Sequence, residues 1–389
     1  MPSTKKHTSS KSNQNKKNLI KSHALKKKKQ TTAKKIKKTT RQTKLTKPKT
    51  KKIVLHKYEQ NPIITPSQQN NWEAWQTFNP AAILLNNSIH FLYRAIGTDG
   101  ISRLGYAHSQ DGFHIDQRLN YPVFEHYTTN HKLYTIYSYL SGGSFGGAED
   151  PRIVQINNED TLYMTYTACD NGLRVGLSSI KLNDFLNKNW KWSTPQLISP
   201  PNEIHKNWVI FPEKIHNKYA ILTSISPNIQ IAYRDSLNFQ PQEYITSYYD
   251  GFCPSRQTYW DNWVRGAGAP PLKTKLGWLL FYQAMDKNDP GKYKVGAMIL
   301  DKNNPEIILY RSINPLLEPT APYENNGYKK GVVYVTGAVI KNNNLFVYYG
   351  SADNYVSVAY IKLQELLQAL QQSKYISLAK YSQIITKYK

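Results

Sequence analysis

Gly142-Gly143-Ser144-Phe145-Gly146-Gly147-Ala148-Glu149-Asp150-Pro151-Arg152 runs into Ile153-Val154-Gln155-Ile156, then Asn157-Asn158, then Thr161-Leu162-Tyr163-Met164-Thr165-Tyr166-Thr167. In order, this reads as a loop, a strand, a turn and a second strand. So many glycines argue against a helix or a regular strand in the first part, since glycine has the most conformational freedom to lose. The later segments are rich in β-branched and aromatic residues and are bounded by turn formers, the signature of a hairpin. Glu149, Asp150 and Arg152 therefore fall where a loop enters a sheet, a common place for catalytic groups. The same residues also fit a tight turn with a local surface ion pair.

The hairpin recurs along the chain. Equivalent central strands are Ile89–Ala95, Lys218–Thr223, Gly277–Gln283 and Asn344–Gly350, each preceded by a turn signal: Asn86-Asn87, His216-Asn217, Lys275-Leu276-Gly277 and Asn342-Asn343. Each has a strand before it, at Ala81–Leu85, Arg152–Ile156, Val209–Ile215, Pro270–Thr274 and Val332–Ile340. Each has one after it, at Ser102–His108, Leu173–Ser179, Ile229–Arg234, Lys294–Leu300 and Tyr355–Ile361. Three strands repeated five times predict an all-β fold, a five-bladed β-propeller. A pair of β-sandwiches is the alternative. One helix is expected, over Leu363–Gln372, with an apolar stripe at Leu363, Leu366, Leu367 and Leu370.

Charge divides the chain. Of its 51 Lys and Arg, 20 lie in Met1–Lys52, a segment without Asp or Glu, so that tail carries most of the net charge of +25. The tail is too polar to offset its chain entropy and is expected to be disordered, with residues 53–389 forming one domain. It suits non-specific attraction to a polyanion, or no dedicated partner at all. Cys169 and Cys253 are too few for a disulfide framework or a metal cluster, so reduced thiols, a cytoplasmic location and no metal are expected. No apolar run is long enough to span a membrane. Nothing in the sequence sets the oligomeric state.

Polar residues recur at matching places in the repeats. Arg94 ends the first central strand, Asp150 and Arg152 open the second unit, and Arg174 begins that unit's third strand. Lys206-Asn207 precede the third unit, and Asp353 follows the fifth central strand. A lone Arg near a strand end is usually an ordinary surface residue. Recurrence at equivalent positions points to a shared site instead.

These residues resemble glycoside hydrolase family 130, the β-mannoside phosphorylases and related β-mannosidases. The matching stretches run from about Asn61 to Leu363. They include Phe78-Asn79-Pro80-Ala81-Ala82, Leu92-Tyr93-Arg94-Ala95, Gly147-Ala148-Glu149-Asp150-Pro151-Arg152-Ile153, Phe211-Pro212-Glu213-Lys214-Ile215, Gly266-Ala267-Gly268-Ala269-Pro270-Pro271 and Tyr348-Tyr349-Gly350-Ser351-Ala352-Asp353. The resemblance implies a five-bladed propeller and inverting phosphorolysis of β-mannosides to mannose 1-phosphate, with inorganic phosphate as co-substrate and no other cofactor. It makes Asp150 the general acid. It gives Arg152, Arg174, Lys206 and Gln283 to the phosphate, and Arg94, Asn207, Tyr282 and Asp353 to the sugar. Two positions depart from the family pattern. Gln283 stands where a His is usual, which removes a potential positive charge, and Tyr334 stands where Phe is common. The first departure keeps an inverting β-mannosidase in view, with Glu213 as its base. A non-catalytic glycan-binding propeller is the third alternative, and Asp150, Arg152, Arg174 and Asp353 together argue against it.

Overall fold

The computed structural model describes residues 53–127, 141–169, 172–247 and 258–372. The expectations for Met1–Lys52 and Cys253 lie outside the described residues. Among the described residues the protein is all-β, with two short helices, α1 (Leu182–Leu186) and α2 (Leu363–Gln372).

After the short β1 (His56–Lys57), the strands fall into five antiparallel sets. The first is β2 (Gln76–Leu85), β3 (Ser88–Ile96), β4 (Ile101–Ser109) and β5 (Gln117–Arg118). The second is β6 (Gly146–Gln155), β7 (Thr161–Cys169), β8 (Leu173–Lys181) and β9 (Gln196–Leu197). The third is β10 (Val209–Ile210), β11 (Tyr219–Ser224) and β12 (Gln230–Arg234). The fourth is β13 (Trp263–Ala267), β14 (Leu272–Thr274), β15 (Gly277–Asp286), β16 (Asp289–Leu300) and β17 (Ile308–Arg311). The fifth is β18 (Val333–Lys341), β19 (Asn344–Ser351) and β20 (Tyr355–Lys362), and β1 pairs with β20 to complete it.

Turn chemistry explains the hairpins. Asn86 and Asn87 sit at φ 47° and 61°, His216 and Asn217 at 54° and 61°, and Asn342 and Asn343 at 50° and 60°. Two successive positive φ values make the turn whose twist matches its flanking strands, and Asn tolerates them best after Gly.

The first strands of the sets differ from the sequence expectation. Glu149 and Asp150 lie inside β6, which begins at Gly146, rather than at the mouth of a loop. The glycines are there for close approach. A Cβ on Gly147 would lie 2.1 Å from the Ser102 carbonyl oxygen of β4, where β4 and β6 make a short parallel contact. In the fourth set the first strand is divided, and β13 was not anticipated; it pairs with one end of β15 and β14 with the other. Pro212, which has no N–H to donate, comes two residues after the end of the two-residue β10, which stops well short of the expected Val209–Ile215.

Bulges recur in these strands: between Phe78 and Ala81, Glu149 and Arg152, Val264 and Gly266, and Val335 and Gly337. A bulge bends its strand and re-aims a side chain. Asn79-Pro80 and Asp150-Pro151 occupy the first two, with Asn79 at φ 45° and Asp150 at φ 47°.

The core follows the period of two. Along β3, Phe91, Tyr93 and Ala95 pack with Tyr348, Val356 and Val358 of the fifth set, while Leu92 packs with Ile153 and Met164 of the second. Three further clusters join sets two and three, three and four, and four and five. Each of the five thus lies between two sets, the first and fifth included. Leu366, Leu367 and Leu370 of α2 enter the cluster of sets four and five, as the apolar stripe predicts.

A buried tyrosine recurs on the central strands. Tyr93 donates to Glu73, which also binds Arg118 of β5. Tyr282 donates to Asp261, which also binds Arg311 of β17. Tyr349 donates to Glu324, which also binds Lys57 of β1. In each case an acid from a preceding segment is held between a phenol and a cation from an outermost strand. A small residue faces the ring: Gly105 opposite Tyr93, Gly296 opposite Tyr282, and Ser357 opposite Tyr349. Tyr166 has Gly176 opposite, and its hydroxyl bonds His126.

Candidate active site

The two bulges bring Asn79 and Asp150 together. Asn79 Nδ2 donates to Asp150 Oδ1 at 2.7 Å, and a Cβ on Gly350 of β19 would strike Asn79 Oδ1 at 1.9 Å. Glycine at 350 therefore makes room for the Asn79 side chain. Asn79 and Asp150 line a pocket together with Phe78, Arg94, Gly142, Lys206, Tyr293, Lys329, Tyr334 and Asp353.

Arg94 fixes the two acids. Its five N–H donors meet five partners: Ser102 Oγ at 3.1 Å, the Ser141 carbonyl at 2.8 Å, Asp150 at 3.2 Å, Ser144 Oγ at 3.3 Å and Glu149 at 3.0 Å. Its guanidinium also lies 4.6 Å from the centre of the Phe78 ring. Arg94, Glu149 and Asp150 are all buried.

The environment drives the carboxyls apart. Burial pushes Asp150 up, but Arg94, Arg152, the Asn79 hydrogen bond and Lys206 outweigh it and hold the carboxyl below its ordinary range. Burial pushes Glu149 up, and Arg94 only partly offsets it. Burial also pushes Asp353 up, against Lys329, Arg94 and Lys206. Among the described residues no donor reaches the Asp353 carboxylate; Gln76 binds its backbone carbonyl instead, at 2.6 Å. The two pocket carboxyls are thus shifted in opposite directions, Asp150 down and Asp353 up.

The expected site residues separate into three groups. Asp150, Arg94, Asp353 and Lys206 share the pocket, and Asn207 and Lys206 line an adjoining one with Arg265 and Gly266. Arg152 is buried behind the pocket, donating to the carbonyls of Gly268 and Asp150 and to Asn207 Oδ1. Arg174 donates to the Ser199 carbonyl and faces Tyr244, and lines neither pocket.

Gln283 and Tyr282 are not brought to the pocket. Gln283 is fully buried and spends its Nε2 on the Val335 carbonyl of β18. It follows Tyr282 as Arg94 follows Tyr93, and each reaches the first strand of the next set. Tyr282 belongs to the recurring buried tyrosines. Tyr282→Phe should lower unfolding free energy by about 1–3 kcal/mol, read by urea titration, without altering substrate affinity. Raised substrate KM at unchanged stability would return Tyr282 to the site. Glu213 lies apart as well, paired with Lys273 and partly exposed.

Sequence reasoning named neither Tyr293 nor Lys329, noted Glu149 beside Asp150 without giving it a role, and quoted Asn79 only within a matching stretch. The Asn-Pro and Asp-Pro steps at equivalent places were the available signal for Asn79. Tyr334, noted only as a departure from pattern, donates to Asn207 Oδ1 at 2.6 Å, the atom that also accepts from Arg152 at 2.9 Å.

A family model described as beta-1,4-mannooligosaccharide phosphorylase matches residues 44–372. The chain is 35% identical over 327 residues to a 1,2-beta-oligomannan phosphorylase of Thermoanaerobacter sp. (strain X514), an alignment covering 81% of this chain and 99% of that one. It is 27% identical over 329 residues to a beta-1,4-mannooligosaccharide phosphorylase of Ruminococcus albus, covering 82% and 92%. Among solved structures, the beta-1,2-mannobiose phosphorylase of Listeria innocua in complex with β-1,2-mannobiose is similar at a TM-score of 0.61 and 25% identity, covering 82% of this chain and 99% of that one.

Proposed function

The chain belongs to glycoside hydrolase family 130, and we propose that it is an inverting phosphorylase of β-1,2-linked mannosides. The observation that carries this reading is the pairing of Asp150, held by Asn79 and Arg94, with Lys206 in one pocket that also presents the unpaired Asp353 carboxylate. The relative at 35% identity, named for a 1,2-linked substrate, supports the linkage.

Asp353 accepts hydroxyls of the mannosyl unit, as a carboxylate without a protein donor is free to do. Asp150 supplies the proton that the leaving oxygen needs as its bond to the anomeric carbon breaks. A phosphate oxygen bonds to that carbon from the opposite face, which inverts it. The phosphate hydroxyl then returns a proton to Asp150, so the reaction balances without another base. Arg94 acts through Asp150 and Glu149 rather than on the sugar, since its donors are already engaged.

The architecture we propose is a five-bladed propeller, one set of strands per blade. Support comes from the five clusters between sets and from β1 pairing with β20. No helix of the described residues is long and apolar enough to cross a membrane. Two cysteines, with Cys169 a buried thiol, fit a reducing, cytoplasmic setting.

The test is to incubate the protein with β-1,2- and β-1,4-mannobiose, with and without phosphate. Mannose 1-phosphate that appears only with phosphate, and faster from the 1,2-linked sugar, is the expected result. Free mannose released regardless of phosphate would replace this reading with a hydrolase.

A further inference from the structure

Of the four residues expected to bind phosphate, only Lys206 lines the pocket. Tyr293 and Lys329, to which nothing above gives a role, line the same pocket. Lys329 Nζ lies 4.9 Å from the centre of the Tyr293 ring, and the Arg265 guanidinium lies 5.8 Å from it. The segment carrying Lys329 is fixed by its backbone. Lys329 N–H donates to the Ala352 carbonyl at 2.8 Å, next to Asp353, and Tyr293 N–H donates to the Gly331 carbonyl at 2.9 Å. Among the described residues no carboxylate pairs with Lys206 or Lys329 within ion-pair distance.

We propose that Lys329 and Tyr293, together with Lys206, form the cradle for the attacking phosphate. This deepens the phosphorolysis reading and rests on it. Two lysines without carboxylate partners beside a buried site repel each other and favour an anion between them. A phenol in their field is a ready donor to that anion. Although burial opposes it, Arg265, Lys329 and Lys206 draw the Tyr293 hydroxyl below its ordinary pKa, the direction expected where an anion is favoured.

The test follows mannose 1-phosphate release from β-1,2-mannobiose as a function of phosphate for wild type, Lys329→Met, Lys329→Arg and Tyr293→Phe. A lost hydrogen bond to a charged group predicts a phosphate KM roughly 10-fold or more higher in Lys329→Met. Tyr293→Phe should show a several-fold rise. The mannobiose KM should stay near wild type, and Lys329→Arg should recover most of the loss. Inorganic phosphate titrated by calorimetry should show the same order. If wild type requires phosphate but Lys329→Met keeps the wild-type phosphate KM, the cradle is wrong and the phosphorylase reading stands. A rise in mannobiose KM alone also overturns the cradle, because Lys329 would then act through Asp353. If wild type ignores phosphate, the phosphorylase reading itself fails.

Discussion

Asp150→Asn is expected to slow phosphorolysis of β-1,2-mannobiose by about 10²–10⁴-fold, the usual contribution of a general acid, and to leave the fold intact. Asn keeps an acceptor for Asn79 and Arg94, which hold the side chain at 2.7 and 3.2 Å. It cannot give a proton to the leaving oxygen. An aryl mannoside whose phenol leaves without protonation should therefore lose far less than the disaccharide. Near-full activity on mannobiose would show that the acid lies elsewhere, with Asp353 the other carboxylate lining the pocket.

The same residue sets a pH dependence. Arg94, Arg152 and Lys206 hold Asp150 low in the absence of an anion, against the upward push of burial. As an acid it must carry a proton, so the free protein is poorly armed near neutral pH. Phosphate bound beside Lys206, as proposed, would offset part of that field and raise the Asp150 pKa. The alkaline limb of kcat, which reports the complex, should accordingly fall at higher pH than the limb of kcat/KM, which reports the free protein. Coincident limbs would separate phosphate binding from the acid.

Much of the fold was legible because hairpins are local. Asn86-Asn87, His216-Asn217 and Asn342-Asn343 announce turns that need positive φ, and all three adopt it. The helix stripe at Leu366, Leu367 and Leu370 was equally plain. The bulges were not, because a bulge is a relation between two strands and leaves only an Asn-Pro or Asp-Pro step in one of them. That is why β6 reads as a loop although Gly147 is there to admit β4. For the site, Asp150, Arg94, Lys206 and Asp353 were singled out from their positions in the repeat, and the structure places all four around one pocket. Tyr282 lies away from the pocket because strand alternation turns it into the core, where its hydroxyl meets Asp261. Lys329 was missed because it lies outside any strand and reaches the pocket through backbone bonds to Ala352 that no pattern records.

Arg94→Met is expected to cost both activity and about 3–5 kcal/mol of stability, the usual result of removing one partner of a buried ion pair. The methionine fills the space over Phe78 but leaves Glu149 and Asp150 without the cation that bonds them both. Their titration sets the sign of the pH effect. Asp150 is depressed in the folded protein, so its stabilisation exists above the ordinary carboxylate range and is lost as pH falls through its folded value. Glu149 is raised, so its ionisation works against folding, increasingly as pH rises from the unfolded towards the folded value. Without Arg94 the first contribution shrinks and the second grows, and the variant's deficit should be larger at pH 7 than at pH 5. Adding Glu149→Gln removes the uncompensated charge and should return part of the stability, measured by urea unfolding, without restoring turnover. Turnover stays lost because Asp150 is then held by Asn79 alone. If Arg94 instead gripped the sugar directly, Arg94→Met would raise the mannoside KM at wild-type stability, and Glu149→Gln would change neither.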